Sequence, residues 1–280
     1  MNTIAQVLKG NIDTEVKRAK MSIGRLLLFG IMAGMFIALG ASASSVAMHS
    51  TAGVGLSRFI GGCIFPIGLM LIVFLGGELF TGDCLIILGI FDKKVRVLSA
   101  LKVLVLVWAA NLVGAVVIAL LVFASGQLGY TNGLLGAFTI KVALGKATMS
   151  FGSAFTSGIL CNIFVCGAVL MASAAKDAGG KIWAMFFPIM AFVVSGYEHC
   201  VANMYYIPAG ILAASNETYR QVAMETYGFS AQQLEALDWK HFFVDSSIPV
   251  TLGNMVGGMI FVGLLLYLVN KQGIKEEQSK

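Results

Sequence analysis

His199, in the stretch Ser195-Gly196-Tyr197-Glu198-His199, is the side chain best placed to change charge near neutral pH, since its ordinary pKa is about 6.5. Its surroundings in the sequence are apolar, and an ionisable group in such a setting marks a pathway or a relay. It offers a proton to a passing anion, or a protonated anchor for one; buried and unpaired it would stay neutral. A second polar interruption, Gly76-Gly77-Glu78-Leu79-Phe80-Thr81-Gly82-Asp83, supplies Thr81. Its hydroxyl suits the imidazole as a partner that sets its tautomer, and it equally suits the N-cap of a helix starting near Asp83. Lys146 enters a long apolar segment, either as an attractor for anions at a pore mouth or as an interfacial lysine with its stem in lipid.

Glu78 and Glu198 are acidic in what would be an anion path. The expectation is structural: each carboxylate accepts hydrogen bonds from backbone donors freed where a helix breaks. Asn162, Asn203 and Asn254 add neutral polar groups, which either line the path or hold helices together. Phe65, Leu69, Leu79, Phe80, Val165 and Phe192 surround these polar groups and point to narrow hydrophobic constrictions.

The elements that must position these residues are membrane helices. The chain is 58% hydrophobic and 12% charged, about half the charge of a soluble domain, with a mean hydropathy of +0.87. Six spans are expected near 23–47, 59–90, 99–124, 148–174, 183–214 and 247–270. The second and fifth are interrupted at the polar stretches, and irregular backbone at membrane depth is tolerated only against protein or a water-filled cavity. Residues 1–22 form an amphipathic helix, with Ile4, Leu8, Ile12 and Val16 as its stripe, and 271–280 a short tail. Asn111-Leu112-Val113-Gly114 returns as Asn254-Met255-Val256-Gly257. Three spans per half then make two inverted repeats, about 23–124 and 148–270, in an all-α membrane protein. Lysines and arginines before span one, between spans two and three, between four and five, and after six put both termini in the cytoplasm. Five cysteines without CxxC spacing read as buried free thiols. No cofactor or metal set is evident, and nothing suggests nucleic acid.

Four motifs in order make the chain resemble the formate/nitrite transporter family over essentially its whole length. They are Gly77-Glu78-Leu79-Phe80-Thr81-Gly82, Lys146 with Asn162, Ser195-Gly196-Tyr197-Glu198-His199 with Ala202-Asn203-Met204, and Thr251-Leu252-Gly253-Asn254. The resemblance implies an aquaporin-like fold and a homopentamer in a bacterial inner membrane, with one anion pore per protomer. It implies constrictions at Leu69 and Leu79 on the cytoplasmic side and at Phe80, Val165 and Phe192 on the periplasmic side, with His199 as the central histidine, Thr81 its partner and Lys146 the vestibule lysine. It also implies that residues 4–20 and Leu79–Asp83 are the parts that respond to pH. Asp83 departs from the Asn, His or small polar residue expected there; facing the pore it disfavours anions, and capping the half-helix it is harmless. Formate, nitrite and hydrosulfide are the family's cargoes, of which formate leads on frequency alone. An aquaporin-like neutral-solute pore lacks support, because paired Asn-Pro-Ala turns are missing. An intramembrane enzyme would need HExxH, GxSxG or a metal partner set.

Overall fold

The computed structural model describes residues 1–279, and six of its helices are long and apolar enough to cross a membrane. Helix α1 (Ile4–Ala19) starts in a capping box, where Thr3 and Gln6 satisfy each other's backbone N–H groups. Its inward face carries Val7, Leu8, Asn11, Ile12 and Glu15. The first half continues through α2 (Ile23–Met48), α3 (Val54–Leu75), α4 (Phe80–Phe91) and α5 (Val97–Ala124). The second consists of α6 (Leu134–Ala147), α7 (Phe151–Ala174), α8 (Ala178–Ser195), α9 (Cys200–Ala214), the surface helix α10 (Glu217–Tyr227) and α11 (Trp239–Ser279). Spans two and five are therefore each a pair of helices, α3 with α4 and α8 with α9. This is a multi-pass membrane protein.

Two boundaries differ from expectation. Lys146 does not begin the fourth span: it sits in the last turn of α6, and the span starts at Phe151. A helix of fourteen residues is too short to cross a bilayer, and no charge separates it from the span that follows, so the sequence merged the two. The sixth span continues to Ser279, with wide π-type winding at Phe242–Ser247 and Val256–Leu264.

Close approach fixes how each half packs. A Cβ on Gly114 of α5 would overlap the Ile31 carbonyl of α2, and one on Gly257 of α11 would overlap the Ile159 carbonyl of α7. Small residues at these crossings let backbones meet where lipid supplies no hydrophobic drive. Outward, Val97, Leu98, Leu101 and Val105 of α5 are exposed, an apolar wall suited to lipid or a neighbouring copy. On one face the chain gathers its ends. The Asn2 N–H donates to Ala174 (2.9 Å), and Tyr267 and Gln278 of α11 both bond Asp92 after α4.

Candidate functional site

Both breaks are built to one plan. Helix α3 ends at Gly76 with φ +91° and α8 at Gly196 with φ +73°, a conformation that favours glycine. An extended segment follows, and its last residue has φ −108° and ψ 119° at Leu79 against φ −111° and ψ 116° at His199. An asparagine from the last long helix of the same half pins each segment. Asn111 donates to the carbonyls of Gly30 (2.7 Å) and Glu78 (2.9 Å) and accepts from Phe80 N–H (3.0 Å). Asn254 donates to those of Gly158 (2.8 Å) and Glu198 (3.0 Å) and accepts from Cys200 N–H (2.9 Å). These side chains satisfy the backbone groups that the breaks release inside the membrane.

The glutamates therefore do something other than expected. Neither carboxylate serves the freed backbone donors; each receives a cation. Glu198 takes Lys146 Nζ on both oxygens (2.8 and 2.9 Å) and Asn203 Nδ2 (2.7 Å). Glu78 takes Arg18 Nε from α1, and Arg18 also pairs with Glu15 and, through Nη2, with Asp83 Oδ1 at 3.3 Å. Lys146 thus reaches its vestibule paired with Glu198, which offsets the charge that an attractor for anions would present there. Asp83 does not cap the half-helix either: α4 begins at Phe80, and Asp83 closes its first turn with N–H to the Leu79 carbonyl (2.8 Å).

His199 and Thr81 meet between the breaks. Thr81 Oγ1 lies 2.9 Å from His199 Nε2, and Ala202 N–H donates to Nδ1 at 3.0 Å. With Nδ1 an acceptor, the hydrogen-bond network assigns the neutral ring's proton to Nε2, aimed at Thr81. Thr81 thus accepts from the ring and keeps its own hydroxyl proton for another acceptor. It is Ala202 that sets the tautomer and His199 itself that caps α9. A doubly protonated ring would have to give up the Ala202 bond, so the geometry here suits a neutral donor rather than a cationic anchor.

Asn162 and Asn254 leave the pathway set. Asn162 donates to the carbonyls of Thr81 (3.1 Å) and Asn254 (2.7 Å). With Asn254 also fully engaged, neither amide has a donor for a passing anion, and both act as ties between helices. Asn203 bonds Glu198 and Ser246 (3.0 Å).

Two cavities approach the Thr81–His199 pair from opposite faces. One, about 600 Å³, lies beneath α1; Leu69, Leu79, Glu15, Arg18, Arg25, Glu78 and Asp83 are among the residues lining it. The other, about 720 Å³, reaches Phe65, Phe192 and His199, and its charged lining is Arg58, Lys141, Lys146 and Glu198. Phe65 meets Phe192 edge-on with centroids 5.5 Å apart, and Phe192 stacks on His199 at 5.9 Å. Phe80 and Val165 are buried and line neither cavity.

Sequence reasoning missed the pairing of Arg18 with Glu78 and the capping of Glu198 N–H by Ser157 Oγ (3.1 Å). The signal available was spacing: Asp83 follows Glu78 by five residues, as Asn203 follows Glu198. Where Asn203 donates to its glutamate, ionised Asp83 has nothing to donate, and its Oδ2, like Glu15 Oε2, is buried without a partner. Burial pushes the Glu15 carboxyl above the ordinary range, Arg18 pulls it down and Glu78 adds to the push. A carboxyl raised in the folded state contributes stability that is present below its unfolded pKa and lost as pH rises through its folded one. Docking of α1 is therefore expected to weaken as pH rises past the normal carboxylate range. Asp83→Asn, which removes a like charge and restores a donor, is expected to hold α1 down to a pH about one unit higher. Protease cleavage within residues 1–20 across a pH series measures it; identical release profiles for variant and wild type would contradict the account.

A model of the formate/nitrite transporter family matches residues 5–268. A relative described as a probable formate transporter, from Methanothermobacter thermautotrophicus, is 38% identical over 268 residues, covering 89% of this chain and 90% of its own. A solved structure described as a pentameric formate channel with formate bound superposes with a TM-score of 0.78 at 30% identity, covering 89% of this chain and 98% of that one. The aquaglyceroporin of Plasmodium falciparum matches at TM-score 0.51 and 15% identity, covering 89% of this chain and all of that one, which shows an aquaporin-like fold alone. Such proteins are channels and transporters, not enzymes. With a match that spans both breaks and all six crossings, the chain belongs to the formate/nitrite transporter family.

Proposed function

We propose that each protomer is a pH-sensitive pore for small monovalent anions of weak acids, with formate as the cargo, and that five copies assemble as in the formate channel it resembles. The face carrying α1 is the cytoplasmic one, in a bacterial inner membrane, following the excess of lysine and arginine on that side. The observation that carries the reading is the Thr81–His199 contact between two vestibules, each floored by apolar side chains. Leu69 and Leu79 floor one and Phe65 and Phe192 the other. Apolar rings make a bare charge costly to pass. At the pair, Nε2–H and the threonine hydroxyl solvate the anion by hydrogen bonds without giving up their protons, and a proton taken up by the anion from the vestibule water lets the neutral acid cross the remaining ring. The half-helices α4 and α9 begin at this point, and their N-terminal dipole ends favour negative charge.

Proteoliposome uptake of formate, nitrite and hydrosulfide, at about pH 5.5 and about pH 7.5, tests the reading with wild type and His199→Asn. The expected result is formate uptake by wild type, faster at the lower pH. In the variant that pH dependence flattens and the acid-side rate falls about tenfold or more. Uptake of nitrite or hydrosulfide without formate would move the cargo within the family; an unchanged variant would return His199 to a purely capping role.

A further inference from the structure

We propose that Arg58, assisted by Lys141, is a docking site for a small carboxylate anion at the mouth opposite α1, ahead of the aromatic constriction. This rests on the formate reading above. Of the cations lining that vestibule, Lys146 is held by both oxygens of Glu198, the one acidic residue in the lining. Among the described residues no carboxylate lies within ion-pair distance of Arg58 or Lys141. Lys141 Nζ has the Tyr227 ring at 4.6 Å. The positive potential of this mouth therefore comes from Arg58 and Lys141, whereas carboxylates outnumber cations in the vestibule beneath α1.

Arg58 is also placed where an entering anion must pass. Its Nη1 makes one long contact, 3.4 Å, to the Ser195 carbonyl. A Cβ on Gly196 would stand 2.5 to 3.0 Å from three guanidinium atoms, so the group lies over the glycine that ends α8, three residues before His199. Phe65 follows Arg58 by seven residues on α3, two turns along one helix face. The order is then Arg58, the Phe65–Phe192 pair, and His199. A guanidinium has five N–H donors in a planar fork, and here most have no acceptor. That fork matches the two oxygens of a carboxylate and gains nothing comparable from the single sulfur of hydrosulfide.

The test is uptake from this side into vesicles at low and high salt, with wild type, Arg58→Gln, Arg58→Lys and Lys141→Gln, each first checked for the wild-type oligomer. Arg58→Gln is expected to raise the half-saturating formate concentration about tenfold at low salt while the maximal rate is kept. Arg58→Lys retains the salt dependence but loses the advantage of formate over hydrosulfide, and Lys141→Gln weakens both anions alike. Half-saturation unchanged in Arg58→Gln, or a fall confined to maximal rate, overturns the docking role. Wild type that carries no formate overturns the functional reading, and the carboxylate site with it, before any variant is compared.

Discussion

Replacing Lys146 with methionine is expected to cost the protein its second break, not merely to slow transport. Glu198 has a side chain only 6% exposed, and its one cationic partner holds both oxygens. Removing one member of a buried ion pair leaves the other charge uncompensated, at a cost of about 3–5 kcal/mol. Glu198 is also where the extended segment is tied to Ser157, Asn203 and Asn254, so strain there reaches His199 directly. Lys146→Met should lower the yield of folded oligomer and its thermal midpoint in detergent. Adding Glu198→Gln removes the orphaned charge and keeps an acceptor for Asn203, so the double variant recovers most of the loss. A single variant as stable as wild type would show that the pair is dispensable to the fold.

The second large effect is steric. At Gly114 an added methyl would meet the Ile31 carbonyl and the Met35 backbone nitrogen, neither of which can turn aside as a side-chain tip does. Helices α2 and α5 must separate, and overpacking on this scale costs about 3 kcal/mol or more. The separation also lifts Asn111, one turn earlier on α5, from Gly30 and Glu78. Gly114→Ala is therefore expected to abolish oligomer and uptake together. Gly257→Ala repeats the effect in the other half, whereas Gly24→Ala, with nothing within 4 Å, leaves both intact. Wild-type yield and uptake from Gly114→Ala would mean that the crossing is looser than described.

The two asparagine-glycine motifs were visible in the sequence because they repeat, and the two breaks because charge interrupts an apolar run. Six crossings follow from hydropathy alone, because lipid leaves the backbone few other options. What could not be read was partnership. Lys146 and Glu198 are 52 positions apart, Arg18 and Glu78 60, and nothing local selects one cation for one carboxylate. For the same reason the sequence points the backbone donors at the breaks to the neighbouring glutamates, whereas asparagines from a later helix supply the acceptors. The sequence placed Thr81 beside His199 from the matching breaks, and their side chains are 2.9 Å apart. The tautomer depends on Ala202, whose N–H points at the ring only once α9 has formed.

The duplicated asparagine knot also bears on how the chain is made. Every group that sets the first break, from Gly30 through Glu78 and Phe80 to Asn111, lies in the first 111 residues. Those that set the second, from Gly158 through Glu198 and Cys200 to Asn254, all come later. As domains fold in order during synthesis, the first half can close its own polar backbone inside the bilayer while the second is still on the ribosome. The bond between Thr81 and His199 then forms last, as the seam that joins two finished halves.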